Sequence, residues 1–431
     1  MTADILGRFR IPAFLARPSR SSPSIRDNAG GQVDERWKSA LLVIASVVCG
    51  WLGWSGYVSL LPVAMVFPTL WAQSPSRRVA ALVSAGYFLA ASRGLPQGVA
   101  NFYAADLWPG LFLWVAASVS FVGVHAALWT KRPGEFASGK RRAGSARAAR
   151  YLLAMVLTGL PPFGITGWAH PLTAAGVLFP GWRWWGLGAT AILLVLMTGR
   201  RWQIAVAVLG GLYVWPATDW TSHRLTPGWT SVDLEMGESL GRDLSLTYHH
   251  GLIATVRNAT AHKDGIRVVT LPESALGFWT PTVRHVWQEG LRGSGLTIVA
   301  GAAIIDPRGY DNVMVTISAD AAHVLYRERM PVPGSMWQPW QQWTGRGGGA
   351  RADFFGNPVV EVDGIRITPL ICYEQLILWP VLQSMLHSPD IIIAMGNGWW
   401  ADGTSIVAIQ KASVTAWARL FALPVIMAFN T

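Results

Sequence analysis

The sequence predicts two parts of different class, a multi-span α-helical membrane domain followed by a layered α/β domain, and three observations carry that prediction. The chain of 431 residues is 51% hydrophobic and 14% charged, with a mean hydropathy of +0.32, far more apolar than a soluble chain of this length. Its long apolar runs fall in the first half, whereas short β-branched runs alternate with polar helical stretches after about residue 229. The charge divides at the same place. Residues 1–228 hold 21 basic and 7 acidic side chains, and residues 229–431 hold 14 and 17. Two separate surroundings are implied, not one basic surface, so no direct nucleic-acid partner is expected.

Residues 1–38 carry seven basic residues among Pro and Ser and read as a basic cytoplasmic arm, not a cleavable signal peptide, because the first apolar run begins after Lys38. Apolar runs then follow at 40–56, 58–73, 79–92, 107–129, 150–168, 177–198 and 202–218. They make about seven candidate spans in a domain of residues 39–218, three of them short against the roughly 20 residues a bilayer needs. With the N-terminus inside, the cytoplasmic segments hold 18 basic residues and the opposing loops only Arg93 and Arg183. An odd number of crossings sends residues 219–431 to the periplasm of a Gram-negative cell. Trp182, Arg183, Trp184 and Trp185 read as anchors at a span edge.

In the second part, strands are expected at 266–271, 296–300, 313–317, 324–326, 365–371 and 391–394. Helices are expected at about 240–263, 281–292, 374–386 and 404–420. Cys49 and Cys372 are the only cysteines, which excludes a disulfide scaffold. Cys49 lies in an apolar run and reads as a small hydrophobe. Glu273 follows the strand IRVVTLP and Cys372 follows IRITPLI. A carboxylate and a thiol at strand ends stand where α/β folds place chemistry, and could serve as a general base and its nucleophile. The Gly-rich run Arg346–Gly349 lacks the Lys-Ser/Thr of a phosphate loop, and His249-His250 show no metal-ligand spacing. No metal and no cofactor are expected.

LPESA at 271–275, ICYEQL at 371–376, GNGWW at 396–400 and the closing AFNT resemble the nitrilase (carbon–nitrogen hydrolase) superfamily. With several spans ahead of it, the chain is similar to bacterial apolipoprotein N-acyltransferase. Through YRERMPVPGSMWQPW at 326–340 it is similar to the TraB-type conjugal transfer proteins. The resemblance implies a nitrilase-like αββα domain and a Glu, Lys, Cys triad, with Glu273 as base, Cys372 as nucleophile, and Tyr373 and Glu374 shaping the pocket. It also implies a membrane lipid as acyl donor, an amine acceptor on a lipoprotein or conjugation-apparatus subunit, and a place in the bacterial inner membrane.

This chain departs from the pattern at several positions. Glu328 stands where the family has its Lys, flanked by Arg327 and Arg329, whose side chains on a strand point to the other face unless a bulge shifts the register. Gly334, Ser335 and Met336 replace a Phe-Gly-Glu, and Asn397 replaces the Asp before the aromatic pair Trp399 and Trp400. Glu273, Glu328 and Glu374 are therefore expected to crowd one thiol. The family continues past the strand matched by the last residues, up to Thr431, with more strands and a last helix. Two functions stay open: a membrane acyltransferase of nitrilase type, and a fold without catalysis that serves in assembly or maturation of a conjugation apparatus.

Overall fold

The computed structural model describes residues 25–131, 140–219, 227–237, 245–261, 265–344 and 349–431. The first part holds α1 (Ile25–Gly53), a 3-10 helix (Val58–Val66), α2 (Phe67–Gln73), α3 (Arg77–Ala91), α4 (Leu95–Tyr103), α5 (Leu107–Leu128), α6 (Lys140–Gly159), α7 (Ala175–Leu178), α8 (Arg183–Met197) and α9 (Trp202–Asp219). Of the expected arm, residues 1–24 lie outside the described residues, and residues 25–38 are part of α1 instead of an irregular tail. The expected loop at 131–150 is likewise shorter, because α6 starts at Lys140; residues 132–139 are outside the described residues.

The seven apolar runs do not become seven long helices. Among the described residues, two helical stretches, Glu35–Gly53 and Leu107–Leu128, are long and apolar enough to cross a bilayer, and a third arises if α3 and α4, bent by 50°, count as one span. Prolines and glycines break three of the other runs. Pro62 sits in the run at 58–73, which winds as a 3-10 helix before the short α2. Pro161 and Pro162 follow the end of α6, and Pro180-Gly181, with Gly181 at φ 78°, separates α7 from α8.

The second part is built from β1 (Trp229–Ser231), α10 (Leu246–Ala261), β2 (Val268–Thr270), α11 (Pro281–Gly290), β3 (Thr297–Asp306), β4 (Gly309–Ile317), β5 (Ala322–Arg327), β6 (Val360–Val362), β7 (Ile365–Ile371), α12 (Leu378–Met385), β8 (Ile391–Asn397), α13 (Ile406–Phe421) and β9 (Val425–Asn430). One sheet has the order β1-β2-β3-β4-β5 and the other β6-β7-β8-β9. β1 to β3 are mutually parallel, as are β7 to β9, while β4, β5 and β6 run antiparallel to their neighbours. The expected helix at 240–263 is α10; residues 238–244 and 262–264, and the Gly-rich run at 345–348, lie outside the described residues.

Period-2 alternation sorts the strand residues into layers. Val268, Val299 and Met314 of one sheet meet Ile367, Ile391 and Ile393 of the other in a buried central layer. Their neighbours Val269, Ile298 and Ala300 face outward onto α10 and α11, where Leu252, Val256 and Trp287 cover them. Leu370, Ile392 and Ala394 face the opposite way, in one continuous core with Trp379, Trp417 and the helices of the first part. The order is therefore helix, sheet, sheet, helix, and the last helical layer is itself roofed by the first part. Gly176 of α7 makes that contact possible: a Cβ there would lie 1.7 Å from the carbonyl oxygen of Ala416 in α13.

Candidate active site

β2 and β7 deliver Glu273 and Cys372 to the same end of the two sheets. The turn at Pro272-Glu273 packs so closely on β3 that a Cβ at Gly301 would lie 2.5 Å from the Glu273 Cα, which makes glycine necessary there. Cys372 ends β7 in the left-handed region, at φ 44°, and opens a 3-10 turn over Cys372–Gln375. A non-glycine residue in that region is strained and is held only by its surroundings. Gln410 of α13 donates from Nε2 to the Cys372 carbonyl at 3.0 Å, and Gln375 ties the turn to β8 by donating to the Met395 carbonyl at 2.8 Å.

Glu328 reaches the site because β5 carries a bulge. The register shifts between Met314 and Val315, so that Leu325 is extra, Tyr326 pairs with Met314 and Arg327 with Val313. Tyr326 and Glu328 then face inward with Asn312, while Arg327 faces outward and pairs with Asp311. Asn312 spans the two carboxyls: its Nδ2 donates to Glu273 Oε1 and to Glu328 Oε2, each at 2.8 Å. All three are buried.

Two expected neighbours are corrected here. Arg327 lies outside the cluster, on the far face of the sheet. Glu374 does not crowd the thiol as a bare charge, because it is half of a separate buried clamp with Arg329. Its Oε1 accepts from Tyr326 Oη at 2.6 Å and from the Arg329 backbone N–H at 2.7 Å, and its Oε2 accepts from the Ile371 N–H at 2.8 Å. The Arg329 guanidinium lies 3.8 Å away and is fully buried. It donates to Tyr326 Oη, to the Pro369 and Pro380 carbonyls and to Gln383, so Arg329 holds the Cys372 turn in place and does not reach over the thiol. Lys411 is engaged elsewhere too, with its Nζ 4.6 Å from the Phe429 ring centre.

Cys372 lies where two clefts meet. One, about 420 Å³, is lined by Glu273, Asn312, Asn397, Trp399 and Trp400, and by Phe102 of α4. The other, about 270 Å³, is lined by Tyr373 and Trp340, and by Leu113 and Ala117 of α5. Tyr373 also donates to the Ile165 carbonyl at 2.8 Å, which joins the turn to the first part. Asn397 accepts from Asn430 at 2.8 Å through its side chain, and Trp399 stacks on Phe102 at 5.8 Å. No Lys, Arg or His lines either cleft among the described residues.

Burial dominates the protonation of the cluster. It pushes the Glu273 carboxyl up to about 7, against the Asn312 amide, the Cys372 thiol and the Asn397 backbone N–H, which all favour the carboxylate. Burial holds Glu328 well above the carboxylate range, and negative charge on Glu374 and Glu273 adds to it. The Cys372 thiol is raised well above its ordinary range by burial first and then by the neighbouring carboxyls. It is neutral at rest, so it needs a base at the moment of attack. Sequence reasoning missed Asn312 and Gln410. The polar Asn inside GYDNVMVTI, at an inward strand position, is the signal that marks the first; Gln410 left none.

A family model described as carbon-nitrogen hydrolase matches residues 89–419. The chain belongs to the carbon–nitrogen hydrolase family. Among its relatives, the conjugal transfer protein TraB of Agrobacterium fabrum is 61% identical over 431 residues, covering 100% of both chains. A probable conjugal transfer protein TraB of Sinorhizobium fredii is 59% identical over 391 residues, 91% of this chain and 98% of its own. This carbon–nitrogen hydrolase is therefore of the TraB conjugal transfer type. Among solved structures, a mutant amidase of the nitrilase superfamily from Nesterenkonia AN1 is 14% identical, with a TM-score of 0.34 over 49% of this chain and 79% of its own. A carbon-nitrogen hydrolase from Helicobacter pylori is 12% identical, with a TM-score of 0.34 over 47% and 72%.

Proposed function

We propose that this carbon–nitrogen hydrolase is a membrane-embedded acyltransferase acting in plasmid conjugal transfer, with Cys372 as nucleophile and Glu273 as its base. The observation that carries the reading is the meeting of the two clefts at one thiol, beside a carboxyl, with α4 and α5 of the apolar first part forming their walls. In the reaction, Glu273 takes the thiol proton as Cys372 Sγ attacks the ester carbonyl of a phospholipid. The tetrahedral intermediate collapses to a thioester, and the departing lysophospholipid oxygen takes the proton from Glu273. An amine then attacks the thioester, loses its proton to Glu273, and leaves as the amide while the thiolate is reprotonated. The acceptor is the amine of a lipoprotein or of a subunit of the conjugation apparatus.

Residues 39–218 are placed in the inner membrane, with the N-terminus cytoplasmic and residues 219–431 periplasmic. The 18-to-2 asymmetry of basic residues, counted over all seven apolar runs as alternating crossings, supports this, as do exposed apolar side chains on α1 and α5 such as Trp51, Phe112 and Val119. A phosphatase fused after Thr431 should be active and one fused within 131–150 silent; the reverse would sink the topology. For the chemistry, the full chain in vesicles of labelled phospholipid should release lysophospholipid when a peptide amine is supplied. The alternative reading, a fold without catalysis in assembly or maturation of the apparatus, is favoured by Glu328 on the family's Lys position. It is the reading left if no lysophospholipid appears and conjugation still tolerates Cys372→Ala.

A further inference from the structure

Glu328 raises a question of charge. Two carboxyls share one amide at a neutral thiol, and the cations around them are committed: Arg327 to Asp311 on the outer face, Arg329 to Glu374, Lys411 to the Phe429 ring. Asn312 gives one hydrogen bond to each carboxyl. Beyond that the two differ. Glu273 lines the larger cleft and has the thiol and the Asn397 N–H beside it. Each has one oxygen, Glu273 Oε2 and Glu328 Oε1, that is buried and without a hydrogen-bond partner among the described residues, but Glu328, unlike Glu273, lines neither cleft. A carboxylate there would leave a charge buried away from both clefts on an oxygen that nothing satisfies, whereas a neutral acid leaves only an unpaired O–H, a smaller cost than a buried lone charge.

We propose that Glu328 is held as a neutral carboxylic acid and acts as a positioning residue, so that the Glu273–Asn312–Glu328 array carries a single negative charge, placed on Glu273. The proton sits on Oε1, since Oε2 accepts from Asn312. Carboxylic acids kept neutral by apolar burial are a known device for working beside a developing anion. The consequence for this site is specific. A Lys at position 328 would pull Glu273 down as an opposite charge and make it a weaker base. A neutral acid pins Asn312, and through it Glu273, without that pull, so Glu273 stays a base poised near neutrality. The array therefore replaces cationic activation of the thiol with a stronger base, and Glu328 is a working substitution for the family's Lys. The other titratable groups acting on the array are Cys372 and Glu374, the latter held by Tyr326 and Arg329, with Tyr310 and Tyr103 on the cleft walls.

The inference rests on the reading of Glu273 as the base, and the test separates the two. In full-length protein carrying Cys49→Ser, the rate of Cys372 alkylation by iodoacetamide is followed against pH. The wild-type rate should rise as pH rises through about 7, where Glu273 loses its proton, and Glu273→Gln should remove that rise; a rise that survives Glu273→Gln sinks the base reading itself. Glu328→Gln, which keeps a neutral group and an acceptor for Asn312, should leave the midpoint in place, while Glu328→Lys should move it to lower pH by about one unit or more. Glu328→Ala should lose reactivity that Gln restores. An acid-ward shift of about one unit in Glu328→Gln would mean that a charge had been removed, and would overturn the proposal while leaving Glu273 as base. Infrared spectra one unit above the wild-type midpoint supply a second measurement: a carboxylic-acid carbonyl band in wild type that Glu328→Gln abolishes is expected, and no difference at that band would overturn it.

Discussion

Replacing Glu273 with glutamine is expected to slow acylation of Cys372 by about 10²- to 10⁴-fold, the usual contribution of a positioned general base. The size follows from the state of the thiol. Cys372 is buried, raised well above its ordinary range and next to a carboxyl, so little thiolate exists at rest and nearly all attack passes through proton transfer to Glu273. Glutamine fills the same volume and can still accept from Asn312, which keeps the β2 turn on Gly301 intact. The loss should thus fall on the rate and not on the fold, and thermal unfolding of the variant should match the parent. Single-turnover acylation with an activated acyl ester reads the effect. A fall of less than tenfold would show that another group removes the proton.

The second large effect concerns the clamp behind the nucleophile. Arg329→Met should destabilise the protein by about 3–5 kcal/mol, because it leaves the buried Glu374 without its counter-charge. The same change strips donors from the Pro369 and Pro380 carbonyls and from Tyr326 Oη. Adding Glu374→Gln to that variant should recover part of the loss, since a neutral amide costs less to bury than an unpaired carboxylate. Denaturant unfolding of the two single variants and the double variant measures the coupling. Strict additivity would show that the pair acts independently and that the clamp does not hold the turn. Reactivity of Cys372 should fall in Arg329→Met even where the protein stays folded, because Glu374, which fixes the Ile371 N–H beside the φ 44° turn at Cys372, loses its counter-charge.

The strand ends were legible because alternation and β-branching are local. IRVVTL and IRITPLI announce buried strands, and the residues after them fall where the sheets deliver side chains. Short edge elements such as β1 and β6 were not, since three residues hold too little pattern to separate from a loop. The lengths of the helices in the apolar part were less legible for a physical reason. Apolar composition reports the surroundings of a segment, but Pro62, Pro161-Pro162 and Pro180-Gly181 decide whether it winds as one long helix. In the site, Glu273, Cys372 and Asn397 were legible from motif and strand position. The outward turn of Arg327 and the inward turn of Glu328 depend on the bulge at Leu325, and the pairing of Glu374 with Arg329 crosses from one sheet to the other. No spacing in the sequence encodes either contact.

An acyl group on Cys372 is the decisive observable. Full-length protein would be incubated in vesicles of phospholipid with labelled acyl chains, quenched in acid and mapped by peptide mass. A labelled, hydroxylamine-sensitive thioester on the peptide holding Cys372, absent from Cys372→Ala and strongly reduced in Glu273→Gln, is the predicted result. No acyl adduct on Cys372 in folded wild-type protein, at any pH on either side of 7, would contradict it.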